Sequence, residues 1–410
     1  MSVGEQKKKK KVKWIKPRHK VITEIARFIL TPYVLTKYGI KIEKFKEQGD
    51  RAYLVLYNHQ TGFDQFFVGL SFKGPVYYVA TEDIFSIGFI SKLLKFAVEP
   101  IPIKKQATDM KAVRDCVQVA REGGTIAIAP EGNRTFSGKT EYIKPSIVKM
   151  AKLLKLPIAF LRIEGGYGVQ PRWSDVVRKG RMRAYISRVM EVEEYRKLPD
   201  EELLSVIKQE LYVNEAVADA SFIHSKSAEY LERAMYVCPY CGLSEFESHE
   251  DVVKCKKCER QIRYMPTKEL CGIGFEFPHR FVESWYSWQC DFINDLNLDL
   301  FKNEPVYQDK GSLSEVIVYS SKRPIWEEAN LSLYGDRIEI ADNEGKKMVF
   351  DFAKTEVVTV LGKNKINIYY GGTIYQIKSD ERFNALKYVN FFYRYKNING
   401  ETEDGKFLGL

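Results

Sequence analysis

An apolar run, Ala52-Tyr53-Leu54-Val55-Leu56-Tyr57, leads into Asn58-His59-Gln60-Thr61-Gly62-Phe63-Asp64, and this junction constrains the chain more than any other stretch. The run is short, unbroken and bounded by charge, which predicts a buried strand. Phe63 to Phe72 then has helical spacing, with Gly62 at the turn. His59 therefore leaves the C-terminal end of a strand, and Asp64 enters the first turn of a helix. Five apart on one helix, at roughly 100° per residue, the two side chains would point about 140° apart. Across a strand-to-helix corner they can meet. The carboxylate can then hold one imidazole nitrogen while the other serves as a base. The plainer alternative is a capping histidine on an ordinary turn, with Asp64 favouring the helix dipole.

A second corner weighs against the plain alternative. The apolar strand Thr125 to Ala129 is followed by Pro130-Glu131-Gly132-Asn133-Arg134-Thr135. A loop with glycine and arginine at the C-terminal end of a strand is where an α/β sheet places an anionic ligand.

These residues resemble the glycerolipid acyltransferases typified by 1-acylglycerol-3-phosphate acyltransferase. The family's His-x4-Asp motif, usually preceded by Asn, is matched by Asn58 to Asp64. Its Pro-Glu-Gly-Thr-Arg motif is matched by Pro130 to Arg134, with Asn133 in place of threonine. A block normally ending Ile-Asp-Arg resembles Ile101-Pro102-Ile103-Lys104-Lys105, so Lys105 stands where arginine is usual. A proline-opened apolar strand matches Leu156-Pro157-Ile158-Ala159-Phe160. The four blocks keep the family's order and cover roughly residues 20 to 215. The resemblance implies transfer of a fatty acyl group from a thioester, on coenzyme A or acyl carrier protein, to a hydroxyl. The favoured acceptor is 1-acylglycerol 3-phosphate, which gives phosphatidic acid; glycerol 3-phosphate, a lysophospholipid or a glycolipid are alternatives. His59 would be the base and Asp64 its partner. Arg134 would hold the acceptor's phosphate, with Lys105 assisting as a point charge. Gly132 would let the backbone approach the ligand, beside Asn133. Glu131 would either order the loop or bind a glycerol hydroxyl. No catalytic metal is implied.

Of the net charge of +10, residues 1 to 20 hold +8, with nine Lys or Arg against Glu5. Such a tail suits anionic lipid, nucleic acid, or simple solvation. From Val21 to Tyr38, Ile22, Ile25, Ala26, Ile29 and Tyr33 recur at helical spacing opposite Lys20, Glu24 and Arg27. The pattern predicts an amphipathic helix on an anionic membrane surface, kinked or divided at Pro32. A helix packed on its own domain is the alternative. No apolar run reaches eighteen residues, and the N-terminus lacks a signal-peptide core. Paired cysteines suit a reducing compartment. The expected location is therefore cytoplasmic and peripheral, on the inner face of a membrane.

The expected fold is α/β: a mostly parallel sheet flanked by helices, then a zinc ribbon, then a β-rich module closed by a C-terminal helix. The expected divisions are a tail and surface helix (1–40), an acyltransferase domain (41–215), a helical connector (216–236), the ribbon (237–266), an aromatic-rich helical connector (267–311) and the β module (312–410). Gly165 to Gly180 reads as a substrate-covering or solvated loop. Cys238-x2-Cys241 and Cys255-x2-Cys258, thirteen residues apart, predict four thiolate ligands to one structural zinc. A glycine follows Cys241, whereas Glu259 follows Cys258. Cys116, Cys271 and Cys290 read as ordinary buried residues. The aromatic face Phe281, Trp285, Trp288, Phe292 and Leu296 reads as core. The meander from Ser312 onward resembles a pleckstrin-homology-like module. A nucleic-acid-binding ribbon is the rival of another class, but Glu245, Glu247, Glu250 and Asp251 offset Lys254, Lys256 and Lys257, so no nucleic-acid partner is expected.

Overall fold

The protein is described by a computed structural model, which covers residues 13–85, 89–103, 109–317 and 321–400. Lys105 and the basic run Lys7 to Lys11 lie outside the described residues. Helix α1 (Pro17–Tyr38) leads through Gly39, at φ +59°, into β1 (Ile40–Ile42). There follow β2 (Leu54–Tyr57), α2 (Asp64–Ser71), β3 (Val76–Thr81), α3 (Phe89–Ala97), β4 (Ile101–Ile103), α4 (Met110–Arg121), β5 (Thr125–Ile128) and α5 (Ser146–Leu154). The first half closes with β6 (Ile158–Glu164), α6 (Gly166–Val169), β7 (Met182–Met190), α7 (Val192–Tyr195) and α8 (Asp200–Leu211).

The seven strands form one sheet in the order β1-β7-β6-β2-β5-β3-β4. From β6 to β4 all neighbours are parallel. β7 reverses against β6, and β1 runs alongside β7. Both faces of the central strands are covered, which is why they read as unbroken apolar runs. Val55 of β2 and Ala159, Leu161 and Ile163 of β6 pack toward Val34 and Tyr38 of α1 and Phe67 of α2. Leu54, Leu56, Ile158 and Phe160 pack on the other face against Val119 of α4, Ala151 of α5 and Ile207 of α8. β2 lies between β5 and β6, so the chain leaving each of these three strands emerges at the same edge.

The second half holds two further β units. A pair, β8 (Val237–Cys238) and β9 (Gly242–Leu243), precedes a four-stranded antiparallel sheet of β10 (Phe246–His249), β11 (Val252–Cys255), β12 (Gln261–Tyr264) and β13 (Leu270–Gly272). Helix α9 (Val282–Asp295) follows. Its Trp285 is fully buried, packs on Phe246 at 5.3 Å, and donates to the Val237 carbonyl, as expected of the aromatic face. The last unit is β14 (Tyr307–Val316), β15 (Lys322–Leu333), β16 (Arg337–Ala341), β17 (Lys347–Asp351), β18 (Thr355–Leu361), β19 (Lys365–Tyr370), β20 (Thr373–Lys378) and α10 (Leu386–Ile398). Its strands, all antiparallel, lie in the order β17-β16-β15-β14-β20-β19-β18. Two meanders, of four and three strands, thus meet at β14 and β20, and α10 is buried against them through Val389, Phe391 and Phe392.

Five expectations are corrected. The connector read as helical over 216–236 carries only a 3₁₀ turn at Leu231–Arg233. It is instead stitched to the first half by backbone bonds, such as the mutual pair of Lys179 and Ile223. Of the segment read as helical over 267–311, β13, α9 and the start of β14 each take part. Pro32 does not divide α1, which runs through it as one helix of 22 residues. Cys271 is exposed, whereas Cys116 is buried and Cys290 half-buried. Gly165 to Gly180 is not a loop over a substrate. Trp173 and Arg178 within it are almost completely buried, and Arg178 donates to Tyr264 Oη and the Ser227 carbonyl. It is the socket on which the second half sits.

Candidate active site

β2 ends at Tyr57, and the next side chain extends its ladder. Asn58, fully buried, donates to the Ile163 carbonyl at 2.8 Å and accepts from the Ile163 amide at 2.7 Å. That fixes where His59 leaves the sheet. The His59 amide donates to Glu131 Oε1 at 2.8 Å, and its carbonyl accepts from the Thr135 amide at 3.2 Å. The loop after β5 therefore holds the histidine backbone from both sides.

His59 Nδ1 lies 2.8 Å from Asp64 Oδ2. A carboxylate only accepts, so Nδ1 carries the proton and Nε2 has its lone pair free. Asp64 opens α2 and is fully buried. It also accepts from the Gln60 amide at 2.6 Å, the Thr61 amide at 3.0 Å and Thr61 Oγ1 at 2.7 Å. A buried carboxylate at a helix N-terminus, with this many donors, is rigid and well compensated. His59 itself is part-exposed and lines the cavity described below. The spacing argument placed both residues where the structure has them.

The loop 130–135 is built by Glu131 and Gly132. Glu131 Oε2 accepts from the Glu141 amide at 2.7 Å while Oε1 takes that of His59, so the side chain orders the site. Of the two roles expected for it, this is the one its contacts show. Burial, chiefly, pushes its carboxyl well above the ordinary range, against the pull of those two amides. Gly132 has φ +72° and a side chain there would meet nothing within 4 Å, so the turn's backbone conformation demands glycine. Asn133 is largely buried and lines the cavity. Arg134 is half-buried with its guanidinium beside Gly62, and among the described residues its side chain has no hydrogen-bond or ion-pair partner.

A cavity of about 1230 Å³ opens beside His59, above the usual range of about 300–1,000 Å³ for small-ligand pockets. It runs between Ile22, Ala26 and Leu30 of α1, Leu94 of α3, Val113 of α4 and Met150 of α5, with Glu131 and Asn133 near the histidine. Sequence reading missed it because its wall comes from five helices, α2 contributing Phe66 and Leu70. Arg27, expected on the solvent face of α1, instead turns inward and donates to the carbonyls of Gly69, Phe72 and Gly74 at 2.6–3.1 Å. The opposite side of α1 exposes Val21, Ile25, Phe28 and Ile29, and nearby α3 exposes Phe89, Leu93 and Phe96. Among the described residues, no helix is long and apolar enough to cross a membrane.

In the second half, the sulfurs of Cys238, Cys241, Cys255 and Cys258 all lie within 4.8 Å of one another. Two of the separations are 3.7 Å (Cys238 to Cys258) and 3.6 Å (Cys241 to Cys255). Four ligands at about 2.3 Å around a tetrahedral zinc would be about 3.8 Å apart. The cluster fits the ion, and four thiolates would leave it no open position. Gly242 and Glu259, each following the second cysteine of its pair, take the same left-handed conformation, with φ +74° and +59°. The ribbon's cations pair internally, Lys254 with Glu259, Lys256 with Glu245 and Arg263 with Asp251.

Residues 39–164 match the family model described as Acyltransferase. Among solved structures, the chain is similar to the crystal structure of the 1-acyl-sn-glycerophosphate (LPA) acyltransferase PlsC from Thermotoga maritima. The identity is 20%, over 47% of this chain and 78% of that one, with a TM-score of 0.38. Curated proteins contain no match to the chain. The family match ends at the end of β6, so the cysteine cluster and the β module lie outside it.

Proposed function

We propose, from an acyltransferase domain over residues 39–164, that the chain moves a fatty acyl group from acyl-CoA or acyl carrier protein to the free hydroxyl of 1-acylglycerol 3-phosphate, forming phosphatidic acid. The observation that carries this reading is His59, backed by Asp64, at the side of a large apolar cavity, with an unpartnered arginine in the same loop cluster. His59 Nε2 takes the acceptor's hydroxyl proton as the oxygen attacks the thioester carbonyl. The tetrahedral intermediate then breaks its C–S bond, and the imidazolium returns the proton to the departing thiolate. Asp64 holds the tautomer and stabilises the imidazolium. The acyl chain lies in the cavity, and Arg134 engages two oxygens of the acceptor's phosphate. Lys105 is assigned the same role by resemblance alone.

The cysteine cluster holds one structural zinc, which when bound ties the two cysteine pairs together. The exposed apolar faces of α1 and α3, with Arg18, Lys20 and Lys92 on the same helices, rest on an anionic membrane surface at its cytoplasmic side. The four-plus-three antiparallel strands and closing helix support a pleckstrin-homology-like reading of the last unit.

The test offers purified protein labelled acyl-CoA and acyl carrier protein with phosphate-bearing and phosphate-free acceptors. Arg134→Ala is expected to cost about 1.5–3 kcal/mol in kcat/KM for a phosphate acceptor, the value of a charged hydrogen bond. Thioester binding should be untouched. Equal use of every acceptor by wild type and variant would refute the assignment.

A further inference from the structure

Arg172 lies in the socket segment, is 2% exposed, and makes no direct ion pair among the described residues, Glu141 acting on it only at longer range. Its guanidinium stacks on Phe136, 4.2 Å from the ring centre. Its fork spans three carbonyls: Nη1 donates to Arg134 at 2.9 Å, Nε to Gly362 at 3.3 Å and Nη2 to Val360 at 3.4 Å. One planar group thus joins the backbone of the unpartnered Arg134 to the β18–β19 turn of the last unit. The next residue of that turn, Lys363, donates to the Ser174 carbonyl at 2.8 Å and pairs with Asp175. Asp175 is already forked by Arg233, at 2.9 and 3.0 Å.

Four cations lie near enough here to act on one another, Arg134, Arg172, Arg233 and Lys363, and Asp175 is shared by two of them. The other acids nearby are Asp64, committed to His59 and Thr61, Glu381, which accepts from Tyr230 Oη beside Arg233, and Glu141, which accepts from Thr135 and whose carboxyl burial pushes up. Desolvated positive charge in excess of local carboxylates calls for an anion from outside. Lys363 is part-exposed and, as an ammonium with three donors, keeps one beyond the two contacts named.

We propose that the β18–β19 turn is the outer wall of the acceptor-phosphate site, with Arg172 positioning Arg134 against it and Lys363 supplying a second cation to the same phosphate. This rests on the acyl-transfer reading above. It makes the last unit part of the site's specificity for a phosphomonoester headgroup. Lysine at position 172 would keep the charge but could not span three carbonyls in one plane.

The experiment uses the full chain with two readouts. In the first, acceptor kinetics compare 1-acylglycerol 3-phosphate with monoacylglycerol, which lacks the phosphate. Lys363→Met is expected to raise KM for the phosphate acceptor about 10-fold, with kcat and the KM for acyl-CoA within about twofold of wild type. Lys363→Arg should restore the KM, and monoacylglycerol should not distinguish the three proteins. Arg172→Lys should raise the same KM despite its retained charge. In the second, inorganic phosphate should raise the melting temperature of wild type more than that of Lys363→Met. An unchanged acceptor KM in folded, zinc-replete Lys363→Met would overturn the proposal. So would wild type that phosphate does not protect. If wild type acylates no acceptor, the acyl-transfer reading fails, and the phosphate shift still decides whether the junction binds the anion.

Discussion

The His59–Asp64 corner and the four-cysteine cluster are both compact polar knots at the ends of strands, but they are tied differently. The corner hangs from buried strands with apolar cover on both faces, and its bonds run through backbone amides already fixed by the sheet. Cys238 and Cys255 end strands of two and four residues, where the ladder itself contributes little, and Cys241 and Cys258 lie in the turns beyond them. Nor is the ribbon isolated. Val253, Ile262 and Tyr264 share one core with Trp285 of α9, Leu331 and Ile338 of the last unit, and Trp173 of the socket. The corner is preorganised by a core it inherits, whereas the cysteine cluster, on the zinc reading proposed above, would take its order from the metal.

The sharpest way to break that contrast is to remove the metal. Cys238→Ser with Cys255→Ser should abolish zinc binding, and structural zinc contributes on the order of 10 kcal/mol to such modules. Hydrogen-exchange protection should then fall across the ribbon, α9 and the last unit, while amides of β2, β5 and β6 stay protected. Protection retained in both blocks would show that the cysteines are as passively held as the corner. The converse probe is His59→Ala, which should lower kcat about 10²- to 10⁴-fold, the usual cost of a lost base. Melting temperature and zinc content should stay put, since Asp64 keeps its amide and hydroxyl donors. A large stability loss would mean that the dyad helps hold the sheet.

Smaller effects sharpen the contrast. Glu131→Gln keeps only one acceptor oxygen for two amides and should cost about 1–3 kcal/mol in stability. Its pH dependence has a definite sign. The native carboxyl binds its proton more readily than the unfolded one, so stability should decline as pH rises from about 4.5 upward. The variant should lack that slope; an identical pH profile would argue against the burial of this carboxyl. Glu259→Gly relieves a left-handed conformation and should stabilise the ribbon by at most about 1 kcal/mol, offset in part by the loss of Lys254 as a partner. Chelator resistance measures it, and a weaker ribbon would mean that the ion pair outweighs the strain.

What the chain disclosed beforehand follows the range of the interaction. Strand runs, helix periods and the turn at Gly62 are local, so the corner and the cysteine pairs could be read directly. The alternation of Leu54, Val55 and Leu56 between two covered faces leaves the continuous apolar run that announces a parallel sheet. Arg27 looked solvent-facing because its partners are carbonyls released at the end of another helix. Arg172 and Lys363 gave no signal, since they meet across almost half the chain. Residues 216–236 show helical spacing, yet their amides and carbonyls are claimed by Lys179, Glu250 and Pro266. There, tertiary backbone pairing overrides propensity.

Helix α1 is only one helix thick, about 10 Å across. Ile22, Ala26 and Leu30 face the cavity, and Ile25, Phe28 and Ile29 face outward. A hydrocarbon tail lodged inside is therefore separated from the outer surface by a single layer of side chains. Tilting that one rod would change the room inside and the apolar area outside together. On the proposed reading, surface attachment and tail length would not be independent variables: a mutation chosen to loosen one would be read out in the other.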